Sequence, residues 1–329
     1  MKAIIPVAGM GTRLRPHTHT QPKVLLNVAG KPIIAHIMDQ VINTRIDHVV
    51  FIVGYLGEVF ESWARKRYPQ LRLEFVEQPQ MLGLGHAVGL GLSEGDGEVM
   101  IILGDTIFDV NLEKILQSPT STLGIKEVED ARRFGVVTLR DGFIADLVEK
   151  SPHPPSNLAI VGLYYIKNGG LLKKFIAEII QKNITVKGEF QITDALRRMV
   201  ESGEKITAFP VQGWYDCGAP DTLLESNRHL LKVQSQSDEN HAHFRKSNVI
   251  LPPVFIAPNA QIENSIIGPS TTIGEGVTIK RSIIVDSIIG DKARVENALL
   301  KRSIIGREAV VCGAFRKLNI SDQSEIAFD

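Results

Sequence analysis

From about residue 250 onward the sequence repeats at a period that few folds can bury. The tetrapeptide SIIG occurs at 265–268, 287–290 and 303–306, with a relative, SIIV, at 282–285. Ile256, Ile262, Ile267, Ile273, Ile279, Ile284, Ile289, Val295, Leu300, Ile305 and Val311 follow one another at steps of five or six residues. An α-helix holds an apolar stripe only at steps of three and four, so it cannot bury this set on one face. A hairpin meander would show alternation broken by turns. A triangular coil of short strands accounts for the pattern, with one inward apolar residue per side.

The pattern resembles the hexapeptide repeat of left-handed parallel β-helices. That resemblance implies a short β-helix over residues 249–329, whose eleven sides make between three and four coils. Its flat ends predict a cap from the last segment and use in self-association, hence a homo-oligomer built through this domain. All nine histidines lie at or before His243, so the repeat offers no imidazole base for the acyl transfer that β-helices often serve.

Residues 1–232 have another texture. AIIPVA, HVVFIVG, LRLEFVE and EVMIILGD are short runs rich in Val and Ile, as suits strands buried on both faces of a mostly parallel sheet. KPIIAHIMDQVINT and EVFESWARKRY between them carry apolar residues at helical spacing. Strand alternating with helix predicts an α/β domain with its ligands at the carboxyl ends of the strands. The polar stretch at 233–248 is expected to be a linker, and its His241 and His243 solvated loop residues.

A chain of 329 residues suits two such domains. Lys+Arg and Asp+Glu each total 37, which gives no electrostatic reason to expect nucleic acid or an anionic membrane as partner. No apolar run reaches spanning length. The opening MKAIIPVAG, followed by Arg13 and Arg15, reads as a buried strand and not as a signal peptide. Cys217 and Cys312 fall in different domains, so no disulfide framework is expected, and the protein reads as cytoplasmic.

The chemistry concentrates in VAGMGTRLRPHTHTQPKVLL, directly after the first strand. Gly9 and Gly11 let the backbone turn sharply and let phosphate oxygens approach main-chain N–H groups, while Arg13 and Lys23 add positive charge. Leu14 stands where a dinucleotide fingerprint needs its third glycine, and no Gly-Lys-Ser/Thr of a P-loop is present. Further on, ILGDTIF places Asp105 at the end of an apolar strand, facing the expected cleft, and GWYDCGAPD carries Asp216.

The string Gly9, Gly11, Thr12, Arg13, Leu14, Pro16, Thr18, then Pro22, Lys23, Leu25 and Leu26, resembles the signature of sugar-1-phosphate nucleotidylyltransferases, and within them the glucose-1-phosphate thymidylyltransferases. The resemblance implies a Rossmann-like catalytic domain. It implies nucleotide binding by Ala8, Gly9, Gly11 and Thr12, with Gln78 and Gly83 of QPQMLGLGHA selecting the base. Asp105 and Asp216 would hold Mg²⁺ through oxygen ligands. Gly135, Glu149, Lys150, Gly162 and Lys187 would bind the sugar phosphate, with Lys187 where thymidylyl-type relatives carry Arg, a change that keeps the charge and loses the bidentate fork. Tyr164, Glu189 and Asp194 lie nearby, and the two carboxylates read equally well as helix-start residues. Cys217, where the family commonly has a hydroxyl, reads as a packing residue.

The implied reaction joins a nucleotide, dTTP or UTP favoured, to a hexose-1-phosphate, glucose-1-phosphate favoured, and releases pyrophosphate. Lys23 would stabilise the α-phosphate and Arg13 the leaving pyrophosphate. Two rival readings are another enzyme of the family, making GDP-mannose, ADP-glucose or UDP-glucose, and a regulatory paralogue without turnover. The presence of Gly11, Arg13, Lys23, Asp105 and Asp216 together speaks against the second. Removing residues 250–329 is expected to reduce the mass of the assembly by light scattering, and an unchanged oligomer would reject the repeat as its builder.

Overall fold

A computed structural model describes residues 1–234, 244 and 247–313. The chain divides into two compact units, Met1–Leu26 with Lys31–Ser226, and Asn27–Gly30 with the described residues from Asn227 onward. His241, His243 and the segment expected to cap the repeat lie outside the described residues.

Along the chain, strand β1 (Lys2–Pro6) comes first, then two short strands, β2 (Asn27–Val28) and β3 (Lys31–Pro32), and helix α1 (Ile33–Val41). Strand β4 (His48–Val53), helix α2 (Gly57–Arg67), strand β5 (Arg72–Glu77), helix α3 (Leu84–Gly91) and strand β6 (Val99–Ile102) alternate as the sequence predicts. Next come β7 (Thr106–Asp109), α4 (Leu112–Leu116), β8 (Ser121–Glu127), β9 (Gly135–Arg140), β10 (Phe143–Glu149) and β11 (Leu158–Ile166). Helices α5 (Gly169–Gln181) and α6 (Ile192–Glu201), strands β12 (Ile206–Pro210) and β13 (Gly213–Asp216) and helix α7 (Pro220–Gln234) follow.

The main sheet has the order β10-β9-β11-β6-β1-β4-β5, with β8 joined to β11 and β12 to β8. Strands β6, β1, β4 and β5 are parallel neighbours, and β12 is parallel to β8. Strand β11 runs antiparallel to β6, β8 and β9, so the sheet is mixed around a parallel centre. The period of two sorts each central strand between two cores. Ile4, Ile52 and Ile101 pack with Val88, Phe175 and Leu196 of α3, α5 and α6. Their neighbours Ile5, Phe51 and Met100 pack with Met38, Phe60 and Leu116 of α1, α2 and α4. Continuous apolar runs in β1, β4 and β6 are thus what a sheet covered on both faces requires. At the edge, β5 keeps its charged residues outward, Arg72, Glu74 and Glu77 among them.

The second unit is a left-handed parallel β-helix of four coils. Strands β14 (Val249–Ile250), β15 (Val254–Ile256) and β16 (Gln261–Glu263) make the first, and β17 (Ile266–Ile267), β18 (Thr271–Ile273) and β19 (Thr278–Lys280) the second. Strands β20 (Ile283–Val285), β21 (Ile288–Ile289) and β22 (Arg294–Glu296) make the third, and β23 (Leu299–Lys301), β24 (Ile304–Ile305) and β25 (Val310–Cys312) the fourth. They stack as three four-stranded parallel sheets, one per side.

All eleven residues read from the sequence as inward lie in one apolar core, from the fully buried Ile267, Ile273, Ile279, Ile284, Ile289 and Val295 to the half-buried Leu300, Ile305 and Val311. Ile250 adds a side that the repeat did not reveal, because the run before it is too polar to extend the pattern. The serine of the SII repeat also has a structural reason. Ser265 Oγ donates to Glu263 O at 2.8 Å and accepts from Ser282 N–H at 3.1 Å, and Ser282 Oγ repeats the arrangement with Lys280 O and Ala298 N–H. These hydroxyls satisfy backbone groups at corners that stacking alone would bury unpaired.

Asn227 ties Ala29 of the segment 27–30 to this unit. Its Oδ1 accepts from Ala29 N–H at 2.9 Å and from Thr272 Oγ1 at 2.6 Å, and its Nδ2 donates to Ser270 O. Gly30, at φ +90°, lies flat under the Phe255 ring, where a Cβ would come within 2.4 Å of a ring carbon.

Ile279→Ala is expected to lower the stability of the β-helix unit by about 2–5 kcal/mol, the cost of a buried cavity. Val310→Ala, at a side chain 65% exposed, should stay within about 0.5 kcal/mol of the parent. Denaturant titration of the two variants checks both values.

Candidate active site

The loop after β1 is bent at Gly11, whose φ of +61° lies in the left-handed region. A Cβ there would lie 2.9 Å from Thr18 Cγ2 and 3.0 Å from Lys23 Cβ, so glycine is required by space as well as by angle. Buried Thr18 closes the loop by donating to Gly11 O at 2.9 Å. Gly9 has open space where a side chain would be, which leaves the backbone of the loop approachable. Ala8 is buried against the loop after β4, with its carbonyl close to Gly54.

Lys23, 8% exposed, donates to Asp105 Oδ2 at 2.6 Å. Asp105 stands just past β6, at the carboxyl end of the parallel strands, and two fifths of its side chain remains open to the cleft. Its surroundings would push its pKa up by desolvation, but the Lys23 charge and hydrogen bond, helped by the Thr106 hydroxyl, hold it below the ordinary value. Asp216 arrives from β13, which pairs antiparallel with β7 so that Asp216 lies opposite Thr106. Cys217 N–H donates to Asp105 O, which tightens the junction. Burial, and next the charge of Asp105, raise the Asp216 pKa against the opposing effects of Lys23 and Arg13. Arg13 reaches the same point. A Cβ on Gly218 would meet an Arg13 guanidinium nitrogen and Asp216 Oδ1, each at 2.7 Å. The Cys217 thiol is fully buried with its pKa pushed up to about 12 by desolvation, so it packs and does not react.

Two cavities meet at Arg13 and Asp105. One, about 550 Å³, is lined by the residues expected to bind nucleotide: Ala8, Gly9, Gly11 and Thr12 from the loop, Lys23, and Gln78 with Gly83 from the segment before α3. The other, about 790 Å³, is lined by Asp216 and by Gly135, Glu149, Lys150 and Gly162. A Cβ on Gly135 would lie 2.6 Å from Glu149 Oε2 and 2.9 Å from Thr193 Oγ1, so glycine lets these two polar groups approach the strand without shifting. Thr193, at the start of α6, donates to Glu149 at 2.6 Å. Gly162, at φ +90°, makes room for Leu103 where β11 slips its register against β8. Lys150 Nζ sits 3.5 Å from Glu149 Oε1 and 3.7 Å from Glu189 Oε2.

Lys187 is not brought into either cavity. Val186 and Glu189 exchange both backbone hydrogen bonds, so Lys187 and Gly188 form the tip of a tight turn and the lysine is exposed. Glu189, which follows the turn, lines both cavities, as Asp105 does. Asp194 lies in the first turn of α6, its pKa raised by burial and by Glu149, and it lines neither cavity. Sequence reasoning missed Arg133, Phe134, Thr193 and Trp214 on the wall of the larger cavity. Phe134 and Trp214 pack edge to face at 5.1 Å. Only the Trp, two residues before Asp216, carried any signal.

The family model for nucleotidyl transferases matches residues 2–233. The chain belongs to this family. It is 32% identical over 331 residues to the bifunctional protein GlmU of Methanocaldococcus jannaschii, covering 88% of this chain and 78% of the relative. It is 31% identical to the UTP–glucose-1-phosphate uridylyltransferase AglF of Haloferax volcanii, over 73% of this chain and all of the relative. It is 30% identical to the glucose-1-phosphate thymidylyltransferase of Streptomyces antibioticus, over 88% of this chain and 87% of the relative. Among solved structures, a UDP-glucose pyrophosphorylase complexed with UDP-glucose superposes with a TM-score of 0.60 at 28% identity, over 70% of this chain and 98% of that one. The protein is a sugar-1-phosphate nucleotidyltransferase. Among the described residues, no helix is long and apolar enough to cross a membrane.

Lys23→Ala removes the cation paired with Asp105 at the junction of the cavities. It is expected to lower kcat for nucleotidyl transfer about 10²–10³-fold, the loss typical of one transition-state donor. Pyrophosphate release at the parent rate would sink this role for Lys23.

Proposed function

We propose that the protein transfers a nucleotidyl group from dTTP or UTP to glucose-1-phosphate, giving the nucleotide sugar and pyrophosphate. The observation that carries this reading is the meeting of the two cavities at Arg13 and Asp105, with Lys23 and Asp216 beside them. A triphosphate in the smaller cavity would present its α-phosphorus to a sugar phosphate held in the larger one. The names of the uridylyl- and thymidylyltransferase relatives support the choice of nucleotide and sugar.

On this reading Lys23 faces the α-phosphate and Arg13 the departing pyrophosphate, where Arg can pair bidentately. Glu149, held by Thr193, accepts sugar hydroxyls, and Lys150 takes the sugar phosphate. The attacking phosphate is already ionised, so no general base is needed. Asp105 and Asp216 suit Mg²⁺: both are hard oxygen donors, brought adjacent by the pairing of β7 with β13. Two carboxylates would leave the rest of the shell to phosphate and water, as Mg²⁺ prefers. When bound, the ion would offset the repulsion between the two phosphate groups. The β-helix is assigned to self-association, supported by the outward column of Val249, Ile266, Ile283 and Leu299 on one of its sheets.

Pyrophosphate release with Mg²⁺ and glucose-1-phosphate, comparing dTTP, UTP, GTP, ATP and CTP, tests the reading. A preference for dTTP or UTP is expected. Turnover only with mannose- or N-acetylglucosamine-1-phosphate would move the sugar assignment, and no turnover with any pair would reject the catalytic role.

A further inference from the structure

Gln78 lines the smaller cavity just past β5, where its N–H continues the pairing with Val53 O. Its side chain is not free to choose what it shows a ligand. The amide Nε2 lies 3.3 Å from Gly83 O and 3.1 Å from His86 Nδ1. A carbonyl oxygen only accepts, so the atom facing Gly83 must be the NH₂ and not the oxygen of the amide. The other N–H then points at His86, whose Nδ1 must accept it, which places the imidazole proton on Nε2. With both amide hydrogens engaged, the group that Gln78 has left to offer is Oε1, an acceptor.

We propose that His86 is the positioning residue for base selection, orienting the Gln78 amide so that its oxygen receives a ring N–H of the base. The inference rests on the smaller cavity being the nucleotide site. Uracil, thymine and guanine carry such an N–H between or beside their carbonyls. Cytosine and adenine present a lone pair at the equivalent ring nitrogen, which an acceptor repels. The selected chemical class is therefore a base with an imide or lactam edge, which includes the bases of dTTP and UTP.

The surroundings of His86 support the acceptor role. It sits on the first turn of α3, whose entry is fixed by Gly83 at φ +105°, where a Cβ would strike Phe190 O at 2.6 Å. Gly85 N–H donates to the same Phe190 O, and Phe190 N–H to Leu82 O, so the turn carrying the ring is clamped on the chain before α6. Burial, and next the charge of Lys173 on α5, lower the His86 pKa, which favours the neutral ring that an accepting Nδ1 requires. The ring itself lines neither cavity, so it acts on the base only through Gln78.

The test is equilibrium binding by calorimetry of UTP, dTTP, GTP, CTP, ATP and N3-methyl-UTP to the full chain and to two variants. His86→Leu removes the acceptor, whereas His86→Asn keeps an oxygen near the position of Nδ1. The parent is expected to bind UTP at least about tenfold more tightly than CTP and N3-methyl-UTP, since a site built around an N–H rejects analogues lacking it. His86→Leu should reduce that ratio about tenfold, His86→Asn should largely retain it, and kcat at saturating UTP should change less than about threefold in both. Equal binding of CTP and UTP by the parent, an unchanged ratio in His86→Leu, or equal losses in the two variants would each overturn the inference. Selective binding without turnover would uphold it while rejecting the catalytic reading, and no nucleotide binding at all would overturn both.

Discussion

The pairing of β13 with β7 is the constraint on which the site depends. Asp105 and Asp216 are far apart in sequence, and the ladder that sets Asp216 opposite Thr106 brings them side by side. Burial, and next the charge of Asp105, raise the Asp216 pKa, and Lys23 and Arg13 oppose that rise. The buried Lys23 in turn is tolerable only with Asp105 as its partner, because an uncompensated ammonium at that depth would be costly. Each charge is therefore held in place by the others.

Behind this cluster lies the parallel centre of the sheet. Parallel strands direct their carboxyl ends to one edge, so the loop after β1 and Asp105 after β6 open on the same cleft. The antiparallel β11 beside them contributes differently. Its register slip at Gly162 admits Leu103, which lines both cavities. The glycines of the site divide by physical role. Gly11, Gly83 and Gly162 hold left-handed backbone, Gly135 keeps contact distance from Glu149, and Gly9 alone leaves space open.

The β-helix obeys a simpler rule. One apolar side chain per side stacks on its counterpart in the next coil, and a hydroxyl at the corner satisfies the backbone. No long-range partner has to be found, since each coil contacts mainly its neighbours.

Sequence alone determined what repeats and what alternates. The steps of five and six residues could be buried only by a coil, and the continuous apolar runs only by a sheet covered on both faces. The glycine, arginine and lysine positions near the first strand were legible because their spacing is local and chemically specific. Tertiary structure decided what lies across the chain from what. The place of Lys187 at an exposed turn tip, the hold of Thr193 on Glu149, the Phe134–Trp214 wall and the bond from Gln78 to His86 all follow from contacts that no local spacing records. The reason is physical: periodicity reports which face of an element is buried, whereas the orientation of a polar side chain depends on partners that only packing supplies.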